Sequence, residues 1–260
     1  MARLITGLTR EQERAFQQRV FARVANVIEP QIRREIARTM LAMARAYEDT
    51  GRQTEILEAH RVAIAEILNR AWNRVASVSG KRLLESVKSH RPVETKDESD
   101  YFRRMREWVA INGALKVTRI VGTTREQAID IINDAVAQSV VEGFGQAETG
   151  RLIQSVMRER GAMLSTQRAR VIARTETHAA SGASNQAAAK ATGLALRKEW
   201  ISARDPERTR EDHDSADGQT VDLDQPFIVG GEPLMYPGDP NGSAEQVINC
   251  RCAVAYVPSE

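Results

Sequence analysis

The sequence predicts a mainly α-helical protein, with an elongated helical N-terminal region over residues 1–160 followed by a small α+β domain over residues 161–260. Three observations predict it. Residues 9–192 are dense in Ala, Arg, Glu, Gln, Leu and Ile, which favour or tolerate helices, and hold only Pro30 and Pro92 among prolines. Six of the eight prolines follow residue 205, among turn-forming stretches such as Asp217-Gly218, Gly230-Gly231 and the run from Tyr236 to Gly242. The charge also changes sign along the chain: residues 1–195 carry 31 Lys/Arg against 22 Asp/Glu, and residues 196–260 carry 6 against 13.

Taken in order, the first helix is signalled by Thr9-Arg-Glu-Gln12, a capping box in which the hydroxyl accepts a backbone N–H and the amide three residues later returns the bond. Breaks are expected at Pro30, at Thr50-Gly51, around Arg91-Pro92, at Gly122-Thr123, from Gly143 to Gly145 and at Gly161, giving six or more helices. A second box, Thr124-Arg-Glu-Gln127, is expected to restart a helix whose buried face carries Ile129, Ile132, Val136 and Val140. Beyond Gly193, residues 197–202 read as one strand and residues 250–257 as another, its β-branched residues gathered at the end. The helical part of the terminal domain comes from residues 164–192, which places the boundary near Gly161 rather than Gly193.

Composition narrows function. Two cysteines, Cys250 and Cys252, in 260 residues do not make a disulfide scaffold, and the first twenty residues hold no apolar run of signal-peptide length. The expectation is a protein made in a reducing cytoplasm. No stretch approaches the roughly 18 apolar residues of a membrane span, so no membrane partner is expected. The common phosphate-loop, dinucleotide, zinc-protease and hydrolase signatures are missing. The basic balance of the first 195 residues is compatible with non-specific DNA contact or with a solvated helical surface.

Three motifs in the last third stand in a telling order: Ala173-Arg174-Thr175-Glu176, then Trp200 with Asp205 and the run from Arg208 to His213, then Asn249-Cys250-Arg251-Cys252. Asp217-Gly218 follows the histidine, and Pro237 to Pro240 precede the cysteines. In this order and spacing, over residues 150–257, the chain resembles the phage Mu protein F-like family of minor head (head morphogenesis) proteins of tailed bacteriophages, which includes those related to the gene 7 product of phage SPP1. The resemblance implies a virion protein of few copies in the phage head interior or at the portal vertex. Its partners would be the portal protein and the major capsid or scaffold protein, and its task head assembly or handling of the genome. It also implies structural roles for Arg174, Glu176, Trp200, Asp205, Arg210 and Gly218, and no catalytic residue.

Cys250 and Cys252 pose a separate question. In an extended strand they would lie about 6.6 Å apart on one face, too far for the Cβ spacing of a disulfide. Parallel thiols suit a zinc ion, and the family-like order makes His213 the natural third ligand, with Asp205, Asp214 or Asp217 as a fourth. Reduced, packed cysteines are the alternative, and either arrangement would fasten the His213 segment to the last strand. Redox chemistry finds no support, since Arg251 is expected on the opposite strand face. Arg174 and His178 share a helix face from which Glu176 points away, so a structural Arg174 paired with an acid such as Asp205 is expected in place of an ADP-ribosyltransferase-like or toxin-like active site. His60 and His90 read as surface or core histidines.

Overall fold

Four long helices account for most of the residues that the computed structural model describes, 4–90 and 98–259. They are α1 (Arg10–Arg45), α2 (Thr50–His90), α3 (Glu98–Val141) and α4 (Gln146–Ala191). A compact succession follows: β1 (Leu196–Ile201), α5 (Glu211–Ser215), β2 (Thr220–Asp222), β3 (Phe227–Val229), β4 (Glu232–Leu234), α6 (Ala244–Val247) and β5 (Ala253–Pro258). The mainly helical class, with a small terminal part containing a few antiparallel strands, is therefore as expected. The long helices feed two compact units. One comprises Met1–Asn26, Arg70–Ile111 and Arg174–Glu260, the other Val27–Asn69 and Asn112–Ala173.

The capping box at Thr9 forms as predicted: the Gln12 amide N–H donates to Thr9 Oγ1 at 3.2 Å, and the Thr9 N–H donates to Gln12 Oε1 at 2.9 Å. Helices also begin at Thr50 and after Gly145 as expected. Three expected breaks are absent. Pro30 lies inside α1, costing one main-chain bond without ending the helix. Gly122 and Thr123 lie inside α3, and Thr124, far from capping a helix, is buried and donates its hydroxyl to the Ile120 carbonyl at 2.7 Å. Gly161 lies inside α4, where a Cβ would come within 3.1 Å of Met157 Sδ and 3.6 Å of Met40 Sδ; the glycine there permits close packing. The break at Arg91-Pro92 and the side chain of His90 lie outside the described residues.

In the second unit, Ile28, Ile32, Ile36, Met40 and Met43 recur at three- and four-residue steps and are all buried. Ile64, Leu68, Ala128, Ile131, Ile153 and Met157 are buried in the same unit. Each such Ile, Leu or Met contributes about 1.5–3 kcal/mol relative to leaving it exposed. The buried stripe of α3 is Thr124, Ala128, Ile131, Ile132, Ala135 and Ser139, turned from the one expected; of the predicted set Ile132 is buried, and Val140 is 74% exposed. His60 is buried, its Nδ1 within 3.0 Å of Thr39 Oγ1 and 3.2 Å of Glu35 Oε1.

In the first unit, residues 176–189 of α4 are buried without interruption. They are almost all Ala, Ser, Gly, Thr, Asn or Gln, small enough for neighbours to approach from every side. Several of their polar groups find partners in neighbouring elements: Ser181 Oγ meets Ser79 Oγ at 2.8 Å, Ser184 Oγ meets the Tyr101 hydroxyl at 2.8 Å, and Gln186 Nε2 donates to the Leu223 carbonyl at 2.7 Å. At Gly182 a Cβ would come within 2.5 Å of the Tyr236 ring and 2.9 Å of the Pro237 carbonyl.

The sheet of this unit has the antiparallel order β2-β1-β5, with Trp200 opposite Val254 and Lys198 opposite Tyr256. Side chains alternate across it. Leu196, Trp200, Val254 and Tyr256 join one apolar cluster with Ala187, Ala188 and Ala191, while Ile201, Ala253, Ala255 and Val257 join another with Leu4. Strands β3 and β4 form a hairpin across Gly230 and Gly231, both at positive φ as a tight primed turn requires.

Two glycine substitutions should separate packing from propensity. Gly182→Val should lower stability by about 2 kcal/mol, because the added side chain meets a rigid ring and a main-chain carbonyl. Gly122→Ala, with nothing within 4 Å of the new Cβ, should raise stability by up to about 1 kcal/mol. Urea midpoints followed by circular dichroism check both; a destabilised Gly122→Ala would show that α3 is strained at that point.

Candidate functional site

The motif residues converge in the terminal part of the first unit, around the imidazole of His213. That ring is carried by α5, a helix of one turn, and is only 1% exposed. Trp200 of β1 positions it: the indole Nε1–H donates to the His213 carbonyl at 3.2 Å, and the two rings meet edge-on with centroids 5.5 Å apart. Phe227 of β3 takes a similar place against the indole at 5.4 Å. The turn behind α5 is closed by Gly218, at φ +82°, whose N–H donates to the Trp200 carbonyl at 2.9 Å.

Both cysteine sulfurs face the same nitrogen. Cys250 Sγ lies 3.5 Å and Cys252 Sγ 3.4 Å from His213 Nδ1, and the cysteines are 2% and 1% exposed. The expected strand over residues 250–257 begins only at Ala253, so the two cysteines belong to the irregular segment leading into β5 and converge by loop geometry instead of strand alternation. The thiols are free, in keeping with the reading against a disulfide. Hydrogen bonding to Cys250, reinforced by burial, holds the Cys252 thiol well above the ordinary range. For Cys250, burial acts upward but is outweighed by hydrogen bonds from Cys252 and the main chain, which bring it down.

The other ring nitrogen, His213 Nε2, lies 2.9 Å from Gln246 Oε1, while Gln246 Nε2 donates to Asp212 Oδ2 at 3.0 Å. Because a carboxylate only accepts, the Gln246 amide is oriented with its oxygen toward the ring, so Nε2 carries the proton and Nδ1 presents its lone pair to the sulfurs. No sequence pattern singled out Gln246. One turn of helix, α6, brings it under the ring.

Asn249, the first residue of the cysteine motif, has φ +59°, a left-handed conformation that Asn tolerates better than most residues. Its side chain accepts from Arg174 at 3.1 Å, and its N–H donates to Thr175 Oγ1 at 3.2 Å. The two motifs that stand 75 residues apart in sequence thus meet directly. Asp205 forms an ion pair with Arg208 at 3.9 Å, and one of the contacts of Arg174 is its hydrogen bond to Asn249. Arg210 donates to the Ile248 carbonyl at 2.5 Å, fixing the same loop from the other side. Glu176 is buried in α4 at 6% exposure.

The acidic run divides among separate partners. Asp217 accepts from Arg10, Arg204 and the Ser202 N–H, Asp214 from the Ser202 hydroxyl, and Asp212 from Gln246. Among the described residues the group able to share one metal ion is His213, Cys250 and Cys252, their ligand atoms all within 4.8 Å of one another. Asp205, Asp214 and Asp217, expected as fourth ligands, are not in that group. Sequence reading also passed over Lys198, which is fully buried, donates to the Met235 carbonyl at 2.7 Å and is pulled by burial down to about 8. It likewise missed Asp239, whose carboxylate accepts from the Met235 and Asn241 N–H groups and shapes the proline-rich loop.

His178 lies on α4 with both ring nitrogens buried and without a hydrogen-bond partner, edge-on to Phe21 at 4.6 Å. Burial, with smaller contributions from His213 and Arg251, pushes its pKa down from 6.5 to about 3. Between those values the unfolded chain takes up a proton that the folded ring cannot, so this contribution to stability is intact above about pH 6.5 and is lost as pH falls toward 3, by up to about 1.4 kcal/mol per pH unit. His178→Met should flatten that dependence. Urea midpoints at pH 7 and pH 5 for both proteins test it, and an equal drop in both would rule His178 out as the source.

With this geometry in place, comparison with known proteins is informative. Residues 130–255 match the family described as Phage Mu protein F like protein. The minor head protein GP7 of Bacillus phage SPP1 is 31% identical over 155 residues, covering 57% of this chain and 48% of that protein. The NAD(+)-arginine ADP-ribosyltransferase EFV of Enterococcus faecalis is 29% identical over 140 residues, covering 51% of this chain and 26% of that protein. The uncharacterized protein YqbB of Bacillus subtilis is 33% identical over 94 residues, 35% of this chain and 31% of that one. The chain thus spans about half of the phage protein's length and less of the other two, and no solved structure matches it. The stretch of this chain that is similar to the Phage Mu protein F like family, residues 130–255, includes Arg174, Trp200, His213 and both cysteines.

Proposed function

We propose that this protein is a structural component of a bacteriophage head, placed in the head interior or at the portal vertex, that acts in head morphogenesis and in packaging or delivery of the genome. In this reading residues 1–160 serve as a docking region and residues 161–260 as the Mu F-like domain. The partners are the portal protein and the major capsid or scaffold protein. Support comes from the family match and from the minor head protein of SPP1.

One structural observation carries the preference for a structural role. The side chains of the family-like motifs are occupied with one another and with the main chain: Arg174 with Asn249, Trp200 with the His213 carbonyl, Arg210 with the Ile248 carbonyl. A groove of about 490 Å³ in the same unit is lined instead by α2 and α3 residues such as Trp72, Ala76, Phe102, Met105 and Arg106.

The relative named as an ADP-ribosyltransferase favours a second reading, transfer of ADP-ribose from NAD to arginine. Against it, the share of that enzyme covered here is 26%, and Glu176, the acid of the Arg-Thr-Glu motif, is buried. Co-expression with the portal protein of the same phage or prophage, followed by affinity capture and size exclusion, tests the first reading: a co-eluting complex is expected, and separate elution at micromolar concentration would overturn it. Nicotinamide release from NAD in the presence of an arginine analogue should stay at the protein-free background; release that Glu176→Gln abolishes would establish the second reading.

A further inference from the structure

We propose that His213, Cys250 and Cys252 form a binding site for a thiophilic divalent cation, zinc foremost, with one remaining coordination position filled by a non-protein ligand such as water. The proposal is independent of the role in the head and rests on four features of the cluster.

The first is spacing. With zinc–sulfur bonds of about 2.3 Å and zinc–nitrogen bonds of about 2.0–2.1 Å, the sulfur–nitrogen edge of a tetrahedron is about 3.6 Å. The two sulfur–nitrogen edges present measure 3.5 and 3.4 Å, and all three ligand atoms lie within 4.8 Å of one another, close to the spacing an ion needs.

The second is the proton on the imidazole. Asp212 fixes the Gln246 amide, the amide fixes the proton on Nε2, and Nδ1 is left as a bare lone pair directed at the sulfurs. A ring nitrogen held by an outer hydrogen bond, with the other nitrogen free to ligate, is the arrangement that orients metal-binding histidines. The surroundings hold it tightly, since a Cβ at Gly230 would come within 2.3 Å of Gln246 Nε2 and 2.4 Å of Asp212 Oδ2.

The third is stoichiometry of partners. One lone pair accepts one S–H hydrogen bond, yet two sulfurs lie at nearly equal distances from it. Packed as thiols, one S–H can donate to the nitrogen and the other only to its neighbour's sulfur, whereas an ion between the three atoms engages all of them directly.

The fourth is charge. Two thiolates, a neutral imidazole and a dication sum to zero, so three ligands that are each 1–2% exposed would surround a cluster with no net charge to desolvate. The ion would also tie residues 37 and 39 apart in sequence, closing the segment that carries β2, the hairpin and α6.

The experiment uses the full chain, expressed in zinc-supplemented medium and dialysed before elemental analysis. About one equivalent of zinc is expected, falling below about a tenth in Cys250→Ser and in His213→Asn. Because those variants also remove buried groups, two measurements on intact ligands accompany them. Cobalt(II) added to chelator-stripped wild-type protein should give thiolate charge-transfer absorption and the intense visible bands of a tetrahedral ion. Gln246→Leu, which keeps all three ligands, should bind zinc about 10- to 100-fold more weakly. Less than about a tenth of an equivalent in the wild type, with no cobalt absorption after stripping, would overturn the proposal in favour of a hydrogen-bonded thiol cluster. A Cys250–Cys252 disulfide found by intact mass in freshly purified protein would overturn it as well.

Discussion

Burial of residues 176–189 on every side is the constraint around which the first unit is built. A helix enclosed all round has no solvent face on which to place polar groups, so an unanswered one is costly, as the unpartnered His178 ring shows, and neighbouring elements answer the Ser and Gln side chains. The answers come from α2 through Ser79, from α3 through Tyr101, from the segment after β2 through the Leu223 carbonyl, and from β5 through the Tyr256 hydroxyl at 3.4 Å from Gln186. Small side chains make this enclosure geometrically feasible, and Gly182 marks the closest approach, where Tyr236 and Pro237 lie against the helix itself. The same Tyr236 accepts from Trp108 Nε1 at 2.9 Å, so α3 is fastened to the proline-rich loop by a bond across the unit.

The second dependency runs through the His213 cluster. Residues between α5 and the cysteines are rich in turns and poor in apolar side chains, and the strands there are three residues long. Such segments hold their place through a few well-placed fixtures. Trp200 provides one by packing on both His213 and Phe227, and Asp239 another by accepting main-chain N–H groups within its loop. At the far end, Asn249 turns the chain in a left-handed conformation and ties it to Arg174 and Thr175 before the cysteines enter the core. The Mu F-like motifs therefore read as contacts among one another, with the helix of the first motif serving as the post to which the last is tied.

Much of this was legible in the sequence, and the misreadings have physical causes. Helical composition and the reciprocal bonds of Thr9 and Gln12 gave the class and the first helix start, and proline and glycine density located the change of architecture. Local breakers misled where packing dominates: Pro30 costs one hydrogen bond, and Gly122 about 1 kcal/mol, against the many buried contacts of helices longer than thirty residues. Thr124-Arg-Glu-Gln127 has the letters of a capping box, but its hydroxyl is satisfied by the preceding turn of an unbroken helix. His213, Cys250 and Cys252 lie together in space, but the cysteines precede the strand that was expected to align them. Gln246, Lys198 and Asp239 were not legible at all. Gln246 and Lys198 acquire their roles from partners 33 and 37 residues away, and Asp239 from main-chain N–H groups of its own irregular loop; none of these has a periodic or spacing signature.

The cysteine motif is also where a chemical reading and an architectural one diverge most sharply. A cysteine sulfur 3.4–3.5 Å from an imidazole nitrogen is the starting arrangement of a thiolate nucleophile. Nucleophilic catalysis, however, requires a reactant to reach sulfur, and these sulfurs belong to residues 1–2% exposed beneath Trp200 and the α6 turn. The histidine is also held at two points, its ring Nε2 by Gln246 and its main-chain carbonyl by the indole, so the ring cannot swing to follow a changing proton acceptor without breaking the bond to Gln246. Buried and held from both sides, the cluster has the properties of a fastening, and the thiol–imidazole proximity that suggests reactivity is what such a fastening requires.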